Sequence, residues 1–119
     1  LKAFERLLNI MDDLREKSDV DLYAITNWSA ETFPIAQRDY PFLQYFQDTV
    51  VSGKLKIVKP DARIYQTLLD RQPSIVPEQS IFIDDVAENI AGAEALKIKG
   101  IHLTSDTNLR EELIKLGVL

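Results

Sequence analysis

The sequence contains no cysteine and a single histidine among its 119 residues. Disulfide bonds and thiolate metal sites are therefore excluded, and so is a metal site built from several histidines. The absence of cysteine fits a reducing compartment, so we predict a cytoplasmic protein. No apolar run approaches the ~18 residues that a membrane-spanning helix requires, so no membrane partner is expected.

Basic residues are also scarce, with 14 Lys and Arg against 19 Asp and Glu and a net charge of −5. A nucleic-acid surface needs clustered Lys and Arg, so a nucleic-acid partner is not expected. Neither of the familiar glycine-rich phosphate loops is present. A chain of 119 residues with 45% hydrophobic residues suits one globular domain at most.

Short apolar runs alternate with helical patterns along the chain, which predicts an α/β fold with a parallel sheet and helices on both faces. The predicted strands cover residues 21–26, 48–52, 80–83 and 101–103. Predicted helices cover residues 1–17, 30–37 and 86–97, with one more after Pro60 and a last one that ends at Gly117. The boundary signals are an N-cap at Ser29, Pro60 at a helix start and a stop at Gly100. Residues 53–58 are predicted to form a basic loop.

The first predicted helix is amphipathic from its first residue, and the chain does not begin with Met. We therefore expect further sequence before it. Its apolar face follows from helical spacing and consists of Leu1, Phe4, Leu7, Leu8, Met11 and Leu14.

Polar residues stand where the predicted strands end. Thr26 and Asn27 end one strand, Asp84 and Asp85 end another, and Lys59 precedes a helix. Ligands of parallel α/β folds bind beyond the carboxyl ends of the strands, so these residues are predicted to form one site. The hydroxyl of Thr26 and the following backbone N–H would donate to a phosphoryl oxygen, and Lys59 beside a helix N-terminus would bind an anion.

The adjacent carboxylates give the sharpest signal. Side chains alternate along a strand, so one of Asp84 and Asp85 would reach a ligand while the other braces the loop or the lysine. Carboxylate oxygens suit Mg²⁺. The alternative interpretation is a helix N-cap beside a solvated acid.

Two more residues, Asn89 and Trp28, have two interpretations each, and His102 has one. Asn89 would support the metal site or be a surface amide. Trp28 would line a substrate entrance or pack in an interface or core. His102 is predicted to be packed or half-exposed, without a metal role.

Three stretches together resemble the haloacid dehalogenase (HAD) superfamily of hydrolases: LYAITNWS at 22–29, KPDARIY at 59–65 and IFIDDVAENIAGA at 81–93. They are similar to that family's second, third and fourth motifs, in order. The resemblance implies a three-layer α/β/α Rossmann-like core. It also implies that the first motif, a strand with the nucleophilic aspartate, lies upstream with the cap domain. Residues 1–119 would then be a partial core domain, with residues 1–18 leading out of the cap.

The resemblance implies site roles as well. Thr26, Asn27, Trp28 and Lys59 would bind substrate, with Thr26 and Lys59 catalytic. Asp85 would ligate Mg²⁺ with Asp84 close behind it, and Asn89 would support them. The implied activity is a Mg²⁺-dependent phosphatase that acts on small phosphomonoesters through an aspartyl phosphate, with the 119 residues inactive alone.

Other interpretations stay open. A 2-haloacid dehalogenase-like hydrolase is one, although its fourth motif resembles Ser-Ser-Asn rather than Asp-Asp. A non-catalytic HAD-like or receiver-like binding module is another. The family's sheet order further predicts an unfilled slot between the strand pair 21–26 with 48–52 and the pair 80–84 with 101–103.

Overall fold

A computed structural model describes the backbone of residues 2–119 and the side chains from residue 5 onward. Leu1 and the side chain of Phe4 lie outside the described residues, so their predicted places on the helix face stay predictions. Within residues 2–119, no helix has both the length and the apolar character that crossing a membrane requires.

Helices and strands alternate along the described chain, which confirms the predicted α/β class. The α-helices are α1 Lys2–Arg15, α2 Phe33–Asp39, α3 Ser52–Leu55, α4 Ala62–Arg71, α5 Ala87–Glu94 and α6 Leu109–Lys115. The strands are β1 Tyr23–Thr26, β2 Asp48–Val51, β3 Ile81–Asp84 and β4 Lys99–His102, and two 3-10 helices cover Pro41–Tyr45 and Pro77–Gln79.

The four strands form two separate parallel pairs. β1 pairs with β2 so that Thr26 lies opposite Val51, and β3 pairs with β4 so that Asp84 lies opposite His102. Within the described residues no ladder of hydrogen bonds joins one pair to the other. This separation agrees with the slot predicted between the two pairs.

Two hydrophobic clusters lie on the opposite faces of β3, and the second also includes Ile25 of β1 and Val50 of β2. Along β3, Ile81 and Ile83 contact one cluster and Phe82 contacts the other, because side chains alternate along a strand. The buried members of the first cluster are Ile10, Leu14, Ile101, Leu109 and Leu113. Those of the second are Val50, Ile64, Tyr65 and Ala93.

Two helix starts differ from the sequence prediction. α2 begins at Phe33, because the Ser29 hydroxyl accepts a hydrogen bond from Thr32 N at 3.1 Å and closes a turn instead of capping a helix. Pro60 is not the first residue of α4, because Asp61 is the N-cap and accepts from Arg63 N at 2.9 Å.

Two further segments also differ. Part of the predicted loop at 53–58 forms the short helix α3, which is closed by a 2.7 Å hydrogen bond from Lys56 N to Ser52 O. Gly100 does not end α5, which already ends at Glu94. Gly100 lies within β4, where a Cβ would come within 2.5 Å of the Ile90 side chain, so the strand needs glycine to pack against α5.

Candidate active site

A buried ion pair joins the two strand pairs at the end where β1 and β3 finish. Lys59 Nζ lies 2.8 Å from Asp84 Oδ2, and the two side chains are only 12% and 7% exposed. The ammonium also lies 5.8 Å from the centroid of the Phe82 ring. Because Lys59 follows α3 and Asp84 ends β3, this contact brings two of the three predicted motifs together.

The third motif is attached through Asn27. Its side-chain Oδ1 accepts a hydrogen bond from Lys59 N at 3.0 Å. Thr26, the last residue of β1, accepts a 3.2 Å hydrogen bond from Trp28 N through its hydroxyl oxygen. The hydroxyl hydrogen of Thr26 is not used in that contact, so it can be donated to a ligand.

A hydrogen bond from the start of α3 fixes the loop that carries Asn27 and Trp28. Gly53 N donates to Trp28 O at 3.1 Å. A Cβ on Gly53 would lie 2.2 Å from Ala30 N, so only glycine permits this approach. Trp28 is 37% exposed, and its ring tilts against Phe33 with centroids 5.9 Å apart. It is therefore partly packed and partly open to solvent.

Asp84 accepts three hydrogen bonds. In addition to Lys59, its carboxylate accepts from Val86 N at 2.9 Å and from Asn89 Nδ2 at 3.2 Å. Burial alone would raise the pKa of Asp84, but these bonds and the charge of Lys59 together lower it below the usual value. The chain therefore holds this carboxylate ionised.

Asn89 is itself buried, and a residue of α4 supports it. The Tyr65 hydroxyl donates to Asn89 O at 2.7 Å. Burial, and to a smaller extent the charge of Asp84, raises the pKa of Tyr65 to about 12, so the phenol stays a donor. Asn89 is thus not a surface amide but part of the support under Asp84.

Asp85 has the opposite environment. It is exposed, and its carboxylate has no hydrogen bond or ion pair to the described residues. No group of three or more His, Cys, Asp or Glu side chains suited to a metal occurs in the described part of the chain. Mg²⁺ is usually held by one or two carboxylates and keeps several waters, so the unpaired Asp85 carboxylate fits as one ligand of such an ion.

The lowered pKa of Asp84 predicts a pH effect on stability in metal-free buffer. The ionised form is favoured in the folded chain, so the stabilisation is complete above the unfolded pKa of about 3.9. It is lost as the pH falls through the lower folded pKa. We expect the free energies of unfolding of the wild type and Asp84→Asn, measured with urea, to differ at pH 7 and to converge as the pH falls below 4. A difference that is constant from pH 7 to pH 2 would contradict this account.

The sequence signals missed one contact at this site. His102 was predicted to be packed or half-exposed without a metal role. It is in fact exposed, because it lies at the end of β4, and its Nε2 lies 3.0 Å from the backbone oxygen of Asp85. The available signal was the parallel pairing of the last two strands, which puts residues after Ile101 beside the ends of β3.

Comparisons with known proteins agree with this fold. The sequence matches the family of haloacid dehalogenase-like hydrolases over residues 1–103. A sesquiterpene phosphatase from Aspergillus oryzae is 28% identical over 116 residues, which cover 98% of this chain and 58% of that protein.

Solved structures show the same fold. A HAD family enzyme from Bacteroides thetaiotaomicron, also solved with magnesium and inorganic phosphate, superposes with a TM-score of 0.77, at 23% identity over 92% of this chain and 55% of that one. A HAD-hydrolase from Bacillus subtilis bound to magnesium gives a TM-score of 0.75, at 22% identity over 85% of this chain and 44% of that one. The chain thus spans about half the length of these relatives. Since the family match covers most of the sequence, the chain belongs to the haloacid dehalogenase-like hydrolases.

Proposed function

We propose that this chain is the part of a Mg²⁺-dependent phosphatase that binds the phosphoryl group and the metal, and that the enzyme acts on small phosphomonoesters. The observation that carries the proposal is the bridge from Asn27 through Lys59 to Asp84, which gathers the ends of three chain segments at one rim. The Lys59 ammonium, the Thr26 hydroxyl hydrogen and the Asp85 carboxylate then belong to the same group of loops. This set suits a doubly charged phosphate ester.

Each residue has a distinct role in the proposal. Thr26 donates its hydroxyl hydrogen to a phosphoryl oxygen, and Asn27 holds the Lys59 backbone in place. Lys59 neutralises charge on the nucleophile and the phosphoryl group. Asp84 orients Lys59 through their 2.8 Å ion pair, so we assign it this bracing function ahead of the metal role predicted from the sequence.

The proposed metal ligand in this chain is Asp85, supported by Asn89 one helical turn further on. Mg²⁺ bound there would supply positive charge that stabilises the phosphoryl oxygens during transfer. The exposed position of Asp85 leaves it open to an ion and to carboxylates from outside the described residues. The remaining proposed residue, Trp28, forms part of the wall of the entrance through its exposed ring.

The nucleophile in this proposal is an aspartate on a strand that inserts between the two strand pairs. The two parallel pairs both contribute to the second hydrophobic cluster but share no hydrogen-bond ladder, which supports such a slot. The carboxylate would attack phosphorus, forming a carboxyl O–P bond as the ester O–P bond breaks and the leaving alcohol takes a proton. Water would then hydrolyse the aspartyl phosphate to inorganic phosphate and free carboxylate.

The name of one relative and the ligands of one solved structure favour phosphatase chemistry. The related Aspergillus protein is named a phosphatase, and the Bacteroides structure holds magnesium with phosphate. The paired acids at 84 and 85 also favour a metal-dependent reaction. A cytoplasmic, small-molecule setting is part of the same proposal.

The test compares the full-length protein with the 119-residue chain. With Mg²⁺, we expect the full-length protein to release phosphate from p-nitrophenyl phosphate and from a panel of sugar and prenyl phosphates. EDTA should abolish this phosphate release. The 119-residue chain should release none. Chloride release from 2-chloropropionate without metal would favour the dehalogenase alternative. An inactive full-length protein that still binds phosphate would favour a non-catalytic binding module.

A further inference from the structure

We propose that His102 is a positioning residue for Asp85. It would act by holding the peptide group that follows the Asp85 Cα, not by touching substrate or metal. The inference rests on the proposed function, because it concerns the same metal-binding carboxylate. Its basis is the 3.0 Å contact between His102 Nε2 and Asp85 O. A carbonyl oxygen only accepts, so Nε2 carries the proton in this contact.

The contact extends the strand pairing past its last residue. The ladder between β3 and β4 ends where Asp84 lies opposite His102, and Leu103 N donates to Asp84 O at 2.8 Å. The next carbonyl, that of Asp85, lies beyond the ladder and is bound by the imidazole instead. The side chain of His102 therefore replaces the missing backbone donor.

The peptide group between Asp85 and Val86 is consequently held at both ends. Its C=O accepts from His102, and its N–H donates to Asp84 Oδ1 at 2.9 Å. The preceding peptide group is fixed by the bond from Leu103 to Asp84. With both flanking peptide groups held, the position of the Asp85 Cα and the direction of its Cβ are set before any ligand arrives.

This matters because no polar contact with the described residues restrains the Asp85 side chain itself. Its carboxylate is exposed and contacts no polar group of the described chain, so only its own χ1 and χ2 rotations remain free. His102 is anchored in turn, since its carbonyl accepts from Thr107 Oγ1 at 3.0 Å. A preorganised carboxylate binds an ion without first ordering its own loop.

The experiment compares His102→Leu with His102→Gln in the full-length protein. Glutamine retains an N–H donor on a flexible chain, whereas leucine retains bulk alone. Lys99→Gln, on the exposed start of the same strand, is the matched control. Mg²⁺ affinity is measured by titration calorimetry, and the Mg²⁺ concentration for half-maximal activity and the thermal midpoint are measured alongside.

We expect His102→Leu to weaken Mg²⁺ binding by about 10-fold to 100-fold, as for other residues that orient metal ligands. The half-maximal Mg²⁺ concentration should rise by the same factor. His102→Gln should recover most of the affinity, and Lys99→Gln should match the wild type. Unchanged Mg²⁺ affinity in folded His102→Leu, with a wild type that binds Mg²⁺, would overturn this inference alone. A wild type that binds no Mg²⁺ would overturn the proposed function as well.

Discussion

Lys59→Met should lower the phosphatase rate of the full-length protein by about 10³-fold, because it removes the cation that stabilises the transferring phosphoryl group. It should also lower the free energy of unfolding by about 3 kcal/mol, since removal of one partner leaves a buried charge uncompensated. The loss should stay near the low end of the range for buried pairs, because Asp84 keeps its hydrogen bonds from Val86 and Asn89.

The double variant Lys59→Met with Asp84→Asn separates these two effects. Removing the stranded carboxylate charge should restore part of the stability, measured by urea unfolding, while the rate stays low. If the double variant is as unstable as Lys59→Met, the stability loss does not come from the unpaired Asp84. A rate near that of the wild type in either variant would contradict the role given to Lys59.

Asp85→Asn should give the second large effect, a rate loss of about 10³-fold together with loss of measurable Mg²⁺ binding by calorimetry. Its free energy of unfolding should stay within about 0.5 kcal/mol of the wild type, because the exposed carboxylate has no partner among the described residues. This pattern is the opposite of that expected for Lys59→Met, in which stability and rate fall together.

Glu88→Gln is the matched control for Asp85→Asn. Glu88 is an exposed acid in the first turn of α5, three residues further along, and its substitution removes the same charge. We expect a normal rate and normal Mg²⁺ binding. An equal loss in both variants would mean that general negative charge near α5, not one placed carboxylate, attracts the metal.

The existence of the strands and their order along the chain followed from local pattern, whereas their pairing followed from the resemblance to the family. Runs such as residues 80–83 are short, apolar and bounded by polar residues, so the pattern locates the strands to within two residues. The misplaced boundaries at Ser29, Pro60 and Gly100 have another origin. Each depends on a side chain or a close contact that a linear pattern does not contain, such as the Asp61 cap or the packing of Gly100 on Ile90.

The sequence suggested which residues would lie near each other at the candidate site, but it did not predict which contacts each of them makes. Alternation along the strand required Asp84 and Asp85 to differ, yet the pattern could not assign which one would brace Lys59. The assignment depends on contacts between residues far apart in sequence, 25 positions for Lys59 with Asp84 and 32 for Asn27 with Lys59. The bond from His102 to Asp85 belongs to the same class of distant contact.

The ion pair between Lys59 and Asp84 bears on when the enzyme would become active as the chain folds. Lys59 belongs to the half of the molecule built on β1 and β2, and Asp84 to the half built on β3 and β4. The groups that we propose to bind the phosphoryl group and the metal therefore lie on different halves of the molecule. They come close together only when the two halves pack against each other. A partly assembled molecule would therefore lack activity altogether.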